Sequence, residues 1–520
     1  MITLRLRHIF IFAFAILLTA CQFEDDQECP KEVNVGTSYI NLSIAVSNGK
    51  ANSTRAGEMP ASGEDGNGRE VGFERENAVT GVTLILYQAA DGINTNTSAT
   101  DPKLEFVRYF PVSRVSGKSQ GTAYDAGTGD ASHLSQVEAV YTTGLQLIGK
   151  QNSLPISLSK TYHAIVVANL DLTTALREGE STLSALKDYN LSTIVSGAYT
   201  DQAQLFGNFV MSSEEDYTIN FETLAKNFDG SSRDASKVTG KDILYDLTET
   251  PIIIERMAAR IDFWAKGAEY STGYATSGYD YVPKRDNGVA SEDHFVLTSI
   301  TPFNLNNESE YLLKHLSDGI LKPETGLGAT TANYVLDPLT AEKTDGSNTT
   351  FSYYNALGGT IANPRTVESL HGQVGTGLTG GFTIKETSGT TEIVSENVII
   401  CYPKENTLPV SSPLKKYATG LKIEGDYYTG NATTGGEHRV YYFYIRHQGE
   451  GTGAYESLSE SELNITNSAT DPMNFGIVRN NIYRVYVDHV KAKTVTEEPK
   501  VTLKIKVKKW DKFEHDPIYM

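Results

Sequence analysis

Apolar residues in this chain come in short runs with a period of two, and that period dictates strands. From Ser38 to Val46 the aliphatics Ile40, Leu42, Ile44 and Val46 alternate with Asn41, Ser43 and Ala45. Successive side chains of a strand point to opposite faces, so this spacing builds one apolar and one polar face. Further strand-like runs are 79–87, 104–110, 162–169, 205–211, 253–263, 295–300, 353–357, 396–402, 417–427, 439–446, 481–490 and 501–510. Stretches rich in Gly, Asn, Ser, Thr and Asp separate them. Segments 47–77, 267–287, 326–350 and 372–381 read as loops, and 172–186, with Ala, Leu, Arg and Glu, is the best helical stretch. Many strands with few helices predict an all-β chain of two β-sandwich-like domains in tandem. The boundary is expected near 250/251, giving domains 56–250 and 251–520.

The N-terminus carries an address. Arg5 and Arg7 precede an apolar run from Ile9 to Leu18, and Leu18-Thr19-Ala20-Cys21 follows. An apolar run of about ten residues is too short to span a bilayer but suits a secretory signal. Small residues before a cysteine are what a lipoprotein signal peptidase needs. Residues 1–20 thus read as a signal peptide, and Cys21 as the acylated new N-terminus, with two or three palmitate-like chains for stable anchoring in the cell outer membrane. The acidic run Glu24-Asp25-Asp26 beside it reads as a solvated linker or a surface-export signal. Two cysteines remain, Cys29 and Cys401, too few for a disulfide framework; a bond between them is one option in an oxidising compartment.

Charge and motifs exclude several function classes. A net charge of -19 disfavours nucleic acid, since nothing offsets the repulsion. There is no HExxH, Walker A or strand–GxGxxG–helix pattern, and no enzyme and no cofactor is expected. No metal site is expected either. His438 and His447 lie nine residues apart around a strand-like run, too far to share an ion, and read as surface histidines.

The positive signal is a match between the two ends. Val501, Leu503, Ile505 and Val507 repeat the period and volumes of Ile40, Leu42, Ile44 and Val46. A groove that accepts one set could accept the other, because alternation sets face and register. Arg55, in Asn52-Ser53-Thr54-Arg55-Ala56-Gly57, lies nine residues past Val46 in a stretch without periodicity. A cut between Arg55 and Ala56 would separate residues 21–55, the lipidated tether with its removable strand, from the rest. The emptied groove would expose unpaired backbone, which a terminal strand of another copy could fill; head-to-tail repetition makes a filament. Arg69 and Arg75 are rival cutting points. The alternative is a surface lipoprotein that never polymerises and stacks sugars on Tyr270, Tyr274, Tyr279 and Tyr281.

The order of these features, with Arg256-Met-Ala-Ala-Arg260-Ile, Tyr402-Pro-Lys-Glu405-Asn406, Gly476-Ile-Val-Arg479-Asn480-Asn481-Ile-Tyr483 and a late strand ending in Trp510, resembles the type V pilins, the FimA/Mfa-like fimbrillins of Bacteroides-type bacteria. The resemblance covers the whole length. It implies two transthyretin-like β-sandwich domains, export as a lipoprotein, cleavage at Arg55 by an Arg-specific protease, and a donor segment from Val501 to Met520. It implies a shaft or tip subunit whose partners are other pilin subunits. Pro517 lies in the tail after Trp510 and cannot sit in a central strand, which limits how far the donor strand runs.

Overall fold

The structure is a computed structural model. It describes residues 38–46, 69–71, 76, 79–95, 100–111, 113–114, 140–148, 160–192, 209–227, 243–322, 334–343, 353–357, 364–372, 381–388, 391–447, 454–467 and 472–511. Strands dominate, and the α-helices among these residues are single turns such as Leu183–Lys187 and Val367–His371.

Three sheets carry the fold. Sheet I has ten strands. Eight run in the order Leu104–Pro111 (β4), Gly81–Tyr87 (β3), Thr161–Ala168 (β7), Met211–Ser213 (β9), Ile243–Arg256 (β12), Ser38–Val46 (β1), Val140–Ile148 (β6) and Ser113–Arg114 (β5). Tyr217–Asn220 (β10) pairs with β7, and Ala225–Asn227 (β11) with β12. Sheet II runs Arg69–Val71 (β2), Lys500–Asp511 (β30), Asn481–Lys491 (β29), Arg260–Trp264 (β13), Thr391–Cys401 (β25) and Gly381–Ser388 (β24), with Ala454–Glu456 (β28) on β30. Sheet III runs Glu269–Ser271 (β14), Gly278–Tyr281 (β15), His294–Phe303 (β16), Gly420–Tyr428 (β26) and Glu437–Tyr444 (β27), with Arg365–Thr366 (β23) on β16. Short pairs complete it: Leu305–Asn306 (β17) with Tyr353–Tyr354 (β22), and Asn190–Leu191 (β8) with Glu310–Tyr311 (β18). His315–Leu316 (β19) pairs with Gly319–Ile320 (β20) and Val335–Leu336 (β21).

The period of two explains how the layers stack. In sheet II, Phe263, Val398, Ile400, Tyr483 and Val485 share a core with Phe295, Leu297 and Ile423 of sheet III. Their chain neighbours Trp264, Ile399, Ile482 and Tyr486 belong to the other core, with Leu84, Ile165 and Ile254 of sheet I. Sheet II is therefore buried on both faces. That is why β13 has no exposed residue, although its sequence Arg-Ile-Asp-Phe-Trp carries two charged side chains. Each aliphatic so buried contributes about 1.5–3 kcal/mol of transfer free energy.

Three expectations are corrected by local geometry. Residues 172–186 are mostly turns; only Leu183–Lys187 is helical. Gly179 sits at φ +71, which breaks the helix, and the Thr182 side chain caps the short turn that follows. The apolar spacing there seats Leu172, Leu176, Leu183 and Leu186 in the core without a continuous helix. Residues 267–287 are not all loop, since they hold β14 and β15, whose Tyr279 and Tyr281 are buried. The run 253–263 is two strands, and the changeover from sheet I to sheet II lies between Arg256 and Arg260.

Candidate functional site

The residues singled out in sequence gather at two places: a strand slot in sheet I, and the joint between sheets I and II. The slot is occupied by β1. It is hydrogen-bonded on both sides, parallel to β12 from Ser38↔Ile243 to Val46↔Ile254 and antiparallel to β6 from Ser38↔Ile148 to Ala45↔Val140. Against β12 the register jumps from Leu42↔Leu247 to Ile44↔Ile252. Pro251 falls in that skipped stretch, where a residue without an N–H cannot hold the ladder. Among the described residues β6 pairs only with β1 and β5. β1 is thus the strand that joins β5 and β6 to the rest of sheet I. Cys21, Arg55 and Ala56 lie outside the described residues.

The late strand has a place of its own. β30 pairs antiparallel with β29 from Lys491↔Lys500 to Asn481↔Lys509. On its other edge it meets β28 at Thr502–Lys504 and β2 at Lys509–Asp511. Val501, Leu503 and Val507 are buried in the core between sheets II and III, and Ile505 packs against it. Trp510 is paired through its backbone to Glu70 of β2. The end of the 47–77 stretch is therefore not a free loop.

The joint explains three of the motifs. Glu76, fully buried, accepts from the Arg260 guanidinium (Nη1 to Oε2, 3.1 Å) and from the Tyr402 hydroxyl, and its carbonyl accepts from Arg256 Nε at 2.9 Å. Arg256 Nη1 also donates to Asn480 Oδ1 at 2.9 Å. Arg260 grips Asp262 with Nε and Nη2, both at 2.9 Å, and Arg484 and Asn397 donate to the same carboxylate. Asn480 takes φ +56, a conformation asparagine tolerates well, and its N–H reaches the Ala258 carbonyl at 2.9 Å. Buried charges are affordable only when paired and hydrogen-bonded, and here each arginine meets a carboxylate or a polar acceptor.

A second cluster lies beside the first. Arg479 Nη2 donates to Glu405 Oε2 at 2.8 Å and to the Tyr311 carbonyl at 2.6 Å, and stands 3.4 Å from Glu310. Burial, and then the neighbouring Glu405 charge, raise the Glu310 carboxyl well above the ordinary range against the pull of Arg479. Glu310 belongs to β18, whose partner β8 comes from the first half of the chain. Lys404 adds a bond to the Ser192 carbonyl. Asn406 exchanges both backbone bonds with Ile477 and accepts Lys343 Nζ at 2.8 Å. The Arg-x-x-Ala-Arg run is therefore fastened to Glu76 of the first half, while the Glu-Asn pair and the Gly-to-Tyr segment are bonded to each other and to the β18 region. Sequence reasoning missed Glu76 and Glu310, since no periodicity marks a lone acid; the signal was the demand of three motif arginines for carboxylates.

The tyrosines of the sugar-stacking alternative do not form one platform. Tyr279 and Tyr281 are buried, Tyr270 stacks on His371 at 3.5 Å, and the Tyr274 hydroxyl donates to Asp280. The histidine reading is corrected in part: His438 is exposed beside Asp426, but His447 is buried with Nδ1 2.8 Å from the Tyr483 hydroxyl. Cys401 is a free, buried thiol, pushed up to about 12 by burial. Among the described residues no helix is long and apolar enough to cross a membrane.

No protein-family model and no curated protein matches the chain. Solved structures do align along most of its length. It is similar to the tip fimbrial protein Mfa3 from Porphyromonas gingivalis, truncated at its C-terminus, with 10% identity over 91% of this chain and 100% of that one, at a TM-score of 0.36. A fimbrilin (fimA) from Porphyromonas gingivalis W83 matches with 13% identity over 92% and 99%, at 0.33. A fimbrial protein from Bacteroides vulgatus matches with 9% identity over 83% and 93%, at 0.29. Superpositions of this quality leave function to be read from the chain's own geometry.

Proposed function

We propose that this chain is a structural subunit, shaft or tip, of a cell-surface fimbria that supports adhesion, and that its partners are further copies of pilin type. It is exported with Cys21 acylated and held at the outer membrane. An Arg-specific protease cuts between Arg55 and Ala56, which detaches anchor and β1 together. The slot between β12 and β6 then takes the Val501-Leu503-Ile505-Val507-Trp510 strand of another copy. The observation that carries this reading is the position of β1. It is central in sheet I, bonded on both edges, yet its link onward runs through the stretch that holds Arg55.

An emptied slot leaves a row of backbone N–H and C=O groups on β12 without partners, and buried or half-buried backbone groups of that kind seek a strand. β30 must give up β29 and its buried Val501, Leu503 and Val507 to serve as donor. Strand exchange of this sort trades one ladder for another, and the vacated slot supplies its drive. The test is to treat the full chain with an Arg-specific protease and read the products by size and N-terminal sequence. Ladders of multimers whose subunits begin at Ala56, absent in Arg55→Ala, support the reading. A product cut at Ala56 that stays monomeric at high concentration would overturn it.

A further inference from the structure

Between sheets II and III one buried arginine has no counter-charge among the described residues. Arg365 begins β23, paired through its backbone with Ile300 of β16 in sheet III, and reaches across to donate Nη1 to the Ile400 carbonyl of β25 in sheet II at 2.6 Å. Only 8% of the residue is exposed. Among the described residues its Nε and Nη2 have no hydrogen-bond partner. The ionisable groups that face it are the Cys401 thiol and the Tyr354 and Tyr402 phenols, and burial presses its charge down from the ordinary arginine range. None of these is an anion: the thiol is held protonated and Tyr402 donates its proton to Glu76. By contrast, Arg256, Arg260, Arg479 and Arg484 each have a carboxylate or an amide oxygen on the guanidinium.

We propose that the Nε–Nη2 edge of Arg365 is a binding site for one small carboxylate. Those two N–H groups are parallel and coplanar, the fork that takes both oxygens of a carboxylate. A single positive charge among phenols and a thiol, with no second cation facing it, matches a monoanion better than a phosphate dianion. Bound there, the carboxylate neutralises the charge and ties the sheet III strand that carries Arg365 to β25 of sheet II. The edge is closed from water, so the ligand enters when the chain around it opens locally, and samples need long equilibration.

The test is equilibrium dialysis of the full chain against radiolabelled acetate in chloride buffer, alongside thermal unfolding in sodium acetate and sodium chloride at matched ionic strength. One acetate retained per chain is expected, with a higher unfolding midpoint in acetate than in chloride. Arg365→Met should cut retention about tenfold or more and abolish the acetate-specific rise. The methionine chain, relieved of a bare charge, should be at least as stable as the parent in chloride. No retention by the parent chain overturns the proposal, whether or not the variant folds, and so does an equal acetate response in Arg365→Met. Water alone would then satisfy the fork.

Discussion

A single carboxylate, Glu76, holds Arg260 and Tyr402 at a point where three segments distant in sequence meet. Removing one partner of a buried pair leaves the other charge bare, which costs far more than the pair itself contributes. Arg260→Met should therefore lower stability by about 3–5 kcal/mol, read from denaturant midpoints at unchanged slope. Glu310 behaves differently because burial raises its carboxyl and so favours the protonated form. Its folded pKa is raised above the unfolded one, so its contribution is complete below the unfolded value, about 4.3, and drains away as pH climbs toward the raised folded value. The parent chain should lose stability with rising pH across that window. Glu310→Gln, a neutral replacement, should cost no more than about 1 kcal/mol at pH 5 and show a flatter pH profile. A profile as steep as the parent's would place the titration elsewhere.

At the level of elements, the strands were the legible part. Period-two alternation marks β26, whose residues are buried in alternation with one face turned to a core. Sheet II resists that reading, since both its faces are covered and the alternation of Phe263 with Trp264 divides two cores rather than core from solvent. Residues 172–186 misled because apolar spacing was visible but Gly179 was not weighed as a break. The joint was half legible: its arginines stand out in recurring short motifs, while Glu76 and Glu310 carry no local pattern. The slot hypothesis makes a strand-level prediction. Val487 and Leu503 face each other in the β29–β30 ladder, so Val487→Cys with Leu503→Cys should form a bond across it. If β30 is the donor, the oxidised double variant is cut yet stays monomeric, and reduction restores assembly. Multimers from the oxidised form, seen by gel filtration, would assign the donor role to another segment.

For the whole molecule, two features decide behaviour. The two halves of the chain are joined by the buried Arg260–Glu76 ion pair and by β8 against β18. The chain also carries a net charge of -19. Like-charged copies repel until salt screens them, with a Debye length near 30 Å at about 0.01 M and 8 Å at about 0.15 M. Assembly of the cut chain, followed by light scattering, should accordingly speed up between those two salt concentrations, and an unchanged or slower rate would mean that charge repulsion does not limit docking. The central claim is that β1 is a plug whose slot another copy refills. Hydrogen exchange along Ile243–Ile254 of β12 tests it most directly, in the full chain before cutting, just after cutting at low concentration, and after assembly. We predict protection, then its loss, then its return. Protection that survives the cut while the protein is still monomeric would contradict the account.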